Sequence, residues 1–454
     1  MTRISVVTGS VVVQRGDGNK QVSAVVNAPL LPGDYISTGG SSRAEIQFDG
    51  YTAIRLGGNV QARITSDDPG NRQVQLADGT IVVGLVHDTG LVDVETPSVT
   101  VRVRQQGDYR ISIGHDGSSW VTTRRGSAEV TTPQHTYTLG EGRTLVARGT
   151  ASNPSITYTT AAAYDSLDDF SAKRDQTMTA AIEASPNLSP DIAGYDNLGA
   201  YGQWQDVSGY GQSWIPTQTS NWAPYGDGNW TWTGGYGWTW VGNEPWGWAP
   251  YHYGRWYYAN GYGWAWQPPS YYAATPAWSP ALVGFFGFGF GGPGWGVSIG
   301  VGGGGYGYGG YGGYGGYGGY GYPYIGWYPL APYAPFYPWY PGWAWTGYGW
   351  GWGGCCGYGY GGYGGWGTNI TNVTHVTNIY NYFPHNGSHG TLVGNFKHGT
   401  ISGHTFTVNQ HNVGSHVGMI HGAVPVTPTR DSLGFGGKSI GAPVTLSKSF
   451  DSPR

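Results

Sequence analysis

The sequence contains few cysteines for its length. Only two of its 454 residues are cysteines, and these two, Cys355 and Cys356, are adjacent. A disulfide between neighbours is sterically strained, and two thiols supply neither a disulfide framework nor a four-ligand zinc site. Cysteine usage therefore does not distinguish a cytosolic protein from a periplasmic one.

Charged residues are also scarce, at 11% of the chain against about 25% in ordinary soluble domains. They are unevenly placed, because the 141 residues from 256 to 396 contain no Asp, Glu, Lys or Arg. No Lys/Arg cluster forms a basic patch. Nucleic-acid binding requires such cations to neutralise phosphates, so this class of partner is excluded.

The sequence shows neither a transmembrane helix nor a secretory signal. The best candidate span, Ala281 to Val301, is interrupted by glycines and by Pro293. A signal peptide needs a basic start and an apolar run of about 7–15 residues, whereas Met1 leads almost directly into an alternating strand pattern. Either the protein stays in the cytosol or its true start lies upstream of Met1.

Residues 3–148 predict an all-β domain. Ala44 to Phe48 alternates apolar and polar residues, and Asp49-Gly50 then marks a hairpin turn. The same pattern of short strands and Gly/Asp/Asn turns recurs through the segment. It predicts an antiparallel β-sandwich or a short β-solenoid.

The same segment resembles a known bacterial domain. The strings GDYIST, SRAEIQF, AIRLGGN and VETPSVTVRVRQQGDYRI are similar to the FecR-type domain of extracytoplasmic sensor and scaffold proteins, across most of residues 4–130. The resemblance implies a location outside the cytoplasm, which favours a misassigned start codon. In the ferric-citrate regulator a membrane helix joins this domain to a cytosolic part that controls a sigma factor. This sequence shows neither part, so we expect the fold and location to carry over rather than sigma-factor control.

Three charged residues lie within the predicted strands, namely Arg43, Glu45 and Arg55. Because they alternate with apolar residues, we expect them on a solvent-facing surface, with a ligand contact as the alternative. His87, His115 and His135 are isolated beside turns, and no metal role is predicted for them.

Residues 161–185 predict a single linking helix that ends before Pro186. Its apolar positions fit one face, and the acidic residues, including Asp168 and Asp169, fall on the other. We expect that acidic face to be solvated. The helix either spaces or docks the modules on its two sides.

A tandem repeat with a period of 26 residues begins at Tyr201. Each unit reads as strand, Gly-rich turn, strand and Pro-containing connector, which predicts a β-hairpin. One hairpin buries too little aromatic surface to offset its ordering entropy, so the three are expected to stack. The repeated positions are Trp204, Trp230 and Trp256; Tyr210, Tyr236 and Tyr262; and Trp214, Trp240 and Trp266; Trp238 and Trp264 lie beside them.

Residues 195–283, which contain the repeat, resemble a tryptophan-rich domain of unknown function that often follows FecR-type domains. The strings GNWTWTGGYGWTWVGNEPWGWAPYHYGRWYYANGYGWAWQPP and PALVGFFG carry the similarity, and a long Gly/Tyr insertion departs from it. We interpret the repeated rings mainly as a core, with an exposed glycan- or envelope-binding platform as the alternative. Glu244 and His252 lie in a connector, and one acid with one base does not make a glycosidase.

The remaining sequence predicts a Gly/Tyr-rich low-complexity segment at 284–367 and an Asn/Thr/His-rich tail with short strands at 368–454. Tyrosine recurs every third residue from Tyr308 to Tyr320, which favours a mobile, self-adhesive segment and self-association. Eight of the twelve histidines lie between His375 and His421. Their spacing suits no fixed tetrahedral site, so no metal is predicted, with weak metal affinity as the alternative.

The sequence shows no nucleophile elbow, acid pair, phosphate-binding loop or Cys/His cluster. We therefore expect a non-enzymatic protein without a cofactor. The leading hypothesis is a cell-envelope scaffold or adhesion protein, whose partner is a cell-wall glycan or another envelope protein. The alternatives are a carbohydrate- or peptidoglycan-binding module, and an extracytoplasmic sensor component that acts with a separate membrane regulator.

Overall fold

The computed structural model describes residues 1–16, 20–88, 90–185, 188–269, 277–289, 322–340, 369–373 (backbone only), 385–399, 401–409, 413 and 417–437. These residues form an N-terminal β-sandwich and an aromatic β domain, with one long helix between them in the chain. The mostly β architecture predicted from the sequence is confirmed. Within the described ranges, no helix has both the length and the hydrophobicity needed to cross a membrane.

The described part of the sandwich contains seventeen strands. They are β1 (Thr2–Thr8), β2 (Val11–Gln14), β3 (Gln21–Ser23), β4 (Pro29–Leu30), β5 (Tyr35–Thr38), β6 (Arg43–Gln47), β7 (Thr52–Leu56), β8 (Gln61–Asp68), β9 (Asn71–Leu85), β10 (Val92–Glu95), β11 (Thr100–Val103), β12 (Gly107–Ile113), β13 (Ser119–Arg125), β14 (Ser127–Thr131), β15 (Thr136–Gly140), β16 (Arg143–Arg148) and β17 (Ser155–Thr160). The first sheet has the order β4-β1-β6-β7-β9-β12-β13-β16-β17. The second has the order β3-β2-β5-β8-β9-β10-β11-β14-β15.

Strand β9 belongs to both sheets and crosses between them at Gly79. Its first half pairs with β8 and β10, and its second half pairs with β7 and β12. Gly79 has a φ of +83°, and a Cβ there would lie 2.7 Å from the Cα of Val60. The crossing therefore requires glycine. Inward-facing Val, Ile and Leu side chains of the two sheets meet in one aliphatic core.

The aromatic domain contains twelve strands, three short α-helices and two 3₁₀ turns within the described residues. The strands are β18 (Gly202–Val207), β19 (Gly211–Pro216), β20 (Gly228–Thr233), β21 (Gly237–Gly242), β22 (Arg255–Ala259), β23 (Gly263–Gln267), β24 (Val283–Phe288), β25 (Tyr324–Pro329), β26 (Asn369–Val373), β27 (His389–Leu392), β28 (Phe406–Thr407) and β29 (Val417–His421). The α-helices within the described residues are α1 (Ser166–Ala184), α2 (Leu198–Tyr201), α3 (Trp248–His252) and α4 (Val393–His398), and the 3₁₀ turns there are Tyr195–Asn197 and Asp431–Leu433.

The three hairpins predicted from the repeat are present as β18–β19, β20–β21 and β22–β23. The repeated tryptophans face each other across each hairpin, as Trp230 faces Trp240. The first and third hairpins join where Trp214 pairs with Trp266, so four tryptophans line up across one sheet. In strand order this row is Trp204, Trp214, Trp266 and Trp256.

The second hairpin forms a sheet of its own, so the units do not add to one sheet in sequence order. Aromatic residues of the connectors carry the contacts between units instead. Tyr225 and Tyr251, which are 26 residues apart, have ring centroids 4.6 Å apart, and the Tyr225 hydroxyl donates to the Tyr251 carbonyl at 2.8 Å. Trp246 similarly contacts Trp214 of the first unit and Trp256 of the third.

The domain continues beyond the repeat. The predicted boundary between residues 283 and 284 falls inside β24, and part of the predicted C-terminal tail supplies β27, α4 and β29. Strands β26-β29-β24-β25-β27-β28 form one sheet. Phe285 and Trp327 of this sheet, together with Phe396 of α4, pack around Trp230. These aromatic residues are spread over distant segments, so composition alone did not reveal one core. Residues 290–321 and 341–368 of the Gly/Tyr segment lie outside the described residues.

Candidate functional site

Helix α1 lies on the outer face of the first sheet and is held there by charged residues. Asp165 caps its N-terminus by accepting from the backbone N–H groups of Leu167 at 2.8 Å and Asp168 at 3.2 Å. The carboxylate of Asp168 is buried and pairs with Arg124 at 2.8 Å and with Arg110 at 3.1 Å. The expectation of a solvated acidic face is thus wrong for Asp168, although Asp169 is exposed.

The next turns of the helix join a buried ion-pair network of six residues that alternate in charge. In order of contact they are Asp175, Arg55, Glu45, Arg174, Asp196 and Arg3. Three carboxylates and three guanidiniums balance, so the network carries no net charge. It links β1, β6 and β7 of the sandwich to α1 and to the 3₁₀ turn at the start of the aromatic domain.

Glu45 lies at the centre of this network. It pairs with Arg55 at 2.8 Å across neighbouring strands and with Arg174 of the helix at 2.8 Å, and it accepts from the Ser5 hydroxyl at 2.6 Å. Burial opposes ionisation of Glu45, but Arg55 and Arg174 outweigh it and lower its pKa from 4.5 to about 2. The expectation of solvent exposure was wrong for Glu45 and Arg55, which are 0% exposed. Alternation of polar and apolar residues indicates which face of a strand is polar. It does not indicate whether water or a helix covers that face.

Asp196 carries the network into the aromatic domain. Its carboxylate pairs with Arg3 at 2.9 Å and also with Arg174. Arg3 is fully buried and donates to Asn27 at 3.0 Å, and Asn27 in turn donates to the carbonyl of Glu244 at 2.7 Å. A continuous chain of polar contacts therefore connects the sandwich to a repeat connector.

One member of the network, Asp175, also forms a carboxyl pair with Asp108. Arg125 Nη2 is 3.1 Å from Asp108 and 3.6 Å from Asp175, so the two acids share one guanidinium nitrogen. Burial and then the neighbouring Asp175 raise the pKa of Asp108 from 3.8 to about 7. No sequence motif marks this pair, because a strand residue and a helix residue 67 positions apart supply it. The pair holds the helix and is not positioned as the two flanking acids of a glycosidase cleft.

The C-terminal part of the described chain also joins the two domains. Phe435 is buried in the aliphatic core of the sandwich, with the Arg15 guanidinium 5.2 Å from its ring centroid. Five residues earlier, the Arg430 carbonyl accepts from Lys20 at 2.6 Å. Ser432 lies between them and accepts from Thr231 of the second hairpin at 2.9 Å.

The aromatic residues predicted as a core or a binding platform lie mainly in the core. The side chains that are at most 5% exposed are Trp214, Trp230, Trp238, Trp240, Trp256, Trp264 and Trp266. Trp204 and Tyr236 are half-buried, and Tyr210 and Tyr262 are exposed. Since β19 and β23 are antiparallel, the turns that carry Tyr210 and Tyr262 lie at opposite ends of their sheet, and the two rings do not form one surface.

Two family models match the chain in succession. Residues 34–149 match the family described as FecR protein, and residues 195–297 match a family of unknown function, DUF6600. The chain carries a FecR domain followed by a DUF6600 domain. The ion-pair network therefore lies where the two domains meet, and Asp196 is its contribution from the DUF6600 domain. No curated protein is significantly similar to the chain.

Two solved structures of a candidate anti-sigma factor from Parabacteroides distasonis are similar to part of the chain. They share 19% and 20% sequence identity with it, with TM-scores of 0.25 and 0.24. In each comparison the match covers 28% of this chain and 59% of the other. The chain thus spans somewhat over half the length of these structures.

The DUF6600 domain buries an acid and a base that do not act together. Glu244 accepts from Tyr251 at 2.8 Å and from Trp222 at 3.1 Å, and burial raises its pKa from 4.5 to about 7. His252 contacts the Ser279 carbonyl at 2.7 Å, and burial lowers its pKa to about 3. A neutral imidazole held against a carbonyl and a carboxyl held by neutral donors are typical of structural sites.

The C-terminal histidines are dispersed in the described part of the chain. His389 is buried and contacts the Pro224 carbonyl at 3.0 Å, and His385 stacks on Tyr258 with ring centroids 3.5 Å apart. Among the described residues, no three His, Cys, Asp or Glu side chains gather as metal ligands would. His375, His411 and His416 lie outside those residues. The absence of a metal site remains a prediction.

Proposed function

We propose that the protein is a non-enzymatic regulatory component of the bacterial cell envelope that acts through a partner protein. The match of residues 34–149 to the FecR family carries this proposal. FecR-type domains typically lie outside the cytoplasm, and the same location is proposed here. Of the three hypotheses, the match favours the sensor component over the scaffold.

The ion-pair network where the two domains meet supports a regulatory role, and we call this region the domain joint. A sensor needs an event at one domain to alter the other, and the buried network gives Glu45 and Asp196 one shared partner, Arg174. Removing one member of such a network leaves another charge buried without its partner, which is strongly unfavourable. A change at the DUF6600 domain that moves Asp196 would therefore alter the ion pairs of Glu45 on the first sheet of the FecR domain.

The burial of the repeated indoles weakens the hypothesis of a glycan platform on the repeat. Of the repeated aromatic positions, Tyr210 and Tyr262 stay exposed, and these two are separated by the length of the sheet. A non-enzymatic role is supported by the structural contacts of Glu244 and His252. The partner we propose is a membrane-spanning regulator that the FecR domain contacts.

Transcript profiling of a deletion strain tests the proposal. The strain is complemented with the full chain, with Asp196→Asn, or with Asp206→Asn, an exposed aspartate in the same domain. We expect deletion to change a limited set of transcripts. Wild type and Asp206→Asn should restore that set, whereas Asp196→Asn should restore it less because it uncouples the DUF6600 domain from the network.

Affinity purification from native membranes supplies the second measurement. A single-spanning regulator should copurify with wild type after cross-linking. Loss of adhesion or envelope integrity without any transcript change, and without such a partner, would favour the scaffold instead. Full restoration by Asp196→Asn would contradict the role given to the joint.

A further inference from the structure

A pocket of about 200 Å³ opens on the DUF6600 domain, away from the domain joint. Strands β24, β25 and β29 form its floor, and residues 335–339 form one wall. Its principal side chains are Phe285, Tyr328, Tyr337, Trp339, Met419 and His421. Ligand pockets for drug-sized molecules measure about 300–1,000 Å³, so this one has room for a single six-membered ring.

The aromatic wall is held in place before any ligand arrives. Trp339 is buried and donates to the Trp238 carbonyl at 2.9 Å, and its ring packs on Phe285 with centroids 4.9 Å apart. Tyr337, by contrast, is 51% exposed. Its ring contacts the His421 ring edge-to-face, with the two centroids 4.2 Å apart. A fixed indole with an accessible phenol ring beside it presents apolar surface at low ordering cost.

His421 supplies a hydrogen-bonding group that no described residue uses. Its Nδ1 is buried and has no hydrogen-bond partner among the described residues. Burial lowers its pKa, so the imidazole is neutral at pH 7. A buried polar atom without a partner costs free energy, and a ligand hydroxyl would relieve that cost.

Among the described residues, the pocket lining contains no Asp, Glu, Lys or Arg. A charged ligand would lose its hydration there without gaining a counter-charge, which excludes carboxylates, phosphates and ammonium groups. The combination of ring faces with one hydrogen-bonding nitrogen suits a pyranose, whose C–H faces are apolar and whose hydroxyls lie around its edge.

We propose that this pocket binds one pyranose ring of an uncharged sugar, with Tyr337 and Trp339 against its C–H faces and a hydroxyl on His421 Nδ1. The site is distinct from the buried indoles of the repeat. This proposal goes beyond the regulatory role, because it depends only on the pocket. It does not require that a membrane partner exists.

Ligand-observed saturation-transfer NMR and calorimetry on the full chain test the site with methyl glucoside, methyl galactoside and N-acetylglucosamine. We expect millimolar binding of at least one sugar. Tyr337→Ala should weaken it about tenfold, as loss of one ring contact implies. Tyr333→Asn is the matched control, because Tyr333 is 79% exposed in the same loop, lies outside the pocket, and has a φ of 64° that asparagine tolerates. It should bind as wild type does.

His421→Phe separates hydrogen bonding from packing, since it keeps a ring and removes the nitrogen. We expect sugar binding to fall by about fivefold to tenfold without a lower melting temperature. No binding of any sugar at tens of millimolar would overturn the proposal. So would equal binding by Tyr337→Ala, or binding of p-cresol with no sugar, which would instead indicate an aromatic peptide side chain as the ligand.

Discussion

Two buried glutamates show how differently the FecR and DUF6600 domains are built. Glu45 lies among guanidinium groups and has a pKa of about 2, whereas Glu244 accepts from a phenol and an indole and has a pKa of about 7. The FecR domain combines an aliphatic core with paired charges on a covered outer face. The DUF6600 domain packs rings, with an acid of raised pKa among them. The same side chain therefore acquires opposite properties from the composition around it.

The largest expected loss of stability comes from creating a cavity in the aromatic core. Trp230 is 0% exposed and contacts the rings of Trp240, Phe285 and other aromatic residues. Trp230→Ala should reduce the free energy of unfolding by about 5 kcal/mol, because the rigid rings around it cannot close the cavity. The aliphatic control, Ile111→Val in the FecR core, should cost about 1 kcal/mol. Urea unfolding measures both, and similar losses would remove the contrast between the cores.

The next largest loss of stability is expected from removing one charge of the ion-pair network. Glu45→Gln leaves Arg55 and Arg174 with one carboxylate each, so the buried network keeps one uncompensated positive charge, and the change should cost about 3 kcal/mol. Glu129→Gln, on an exposed position of β14, should change stability by less than about 0.5 kcal/mol. A loss of equal size in both variants would show that the network adds nothing beyond a surface charge.

The pH dependence of stability should have opposite slopes for the two glutamates. The folded pKa of Glu45 is below its ordinary 4.5, so its contribution is complete above pH 4.5 and is lost as pH falls towards 2. The folded pKa of Glu244 is above 4.5, so its contribution is complete below pH 4.5 and is lost as pH rises through 7. Each contribution is on the order of 3 kcal/mol.

Chemical unfolding between pH 2 and pH 8 checks these slopes. Glu45→Gln should flatten the acid side of the profile, and Glu244→Gln should flatten part of the decline between pH 4.5 and 7. Asp108, whose folded pKa is also about 7, contributes to the same decline, so adding Asp108→Asn should flatten it further. An unchanged profile for Glu244→Gln would mean that its carboxyl is solvated.

The smallest expected change is a difference in stability between variants of two equally buried tryptophans. Trp214 donates its indole N–H to the Leu198 carbonyl at 3.1 Å, whereas the Trp230 N–H has no partner among the described residues. Both changes to Phe remove the same volume, but only Trp214→Phe also removes a hydrogen bond. Thermal and urea unfolding should therefore show Trp214→Phe to be less stable by about 1 kcal/mol, and the reverse order would contradict the assignment.

The sequence predicted those features that repeat or alternate locally. The 26-residue period located three hairpins, because turn and strand signals lie within one unit. The helix between the domains was likewise predicted, since its apolar face and the following proline are local.

The sequence did not predict what depends on contacts between distant segments. Glu45 is polar on an alternating strand whether water or helix α1 covers it, and its partner Arg174 is 129 residues away. The pairing of the first hairpin with the third also could not be read from identical units. The pocket around His421 is assembled from strands separated by long Gly-rich segments, so no motif marks it.

Phe435 has a consequence for the order in which the chain is made. The last sandwich strand leaves the ribosome once residue 160 and its surroundings have been translated, but the ring that closes that core arrives only after residues 161–434. At bacterial elongation rates this delay is on the order of tens of seconds. A stop codon just after residue 430 would thus release a protein that retains all 29 described strands while its first core stays open to chaperones and to other nascent chains.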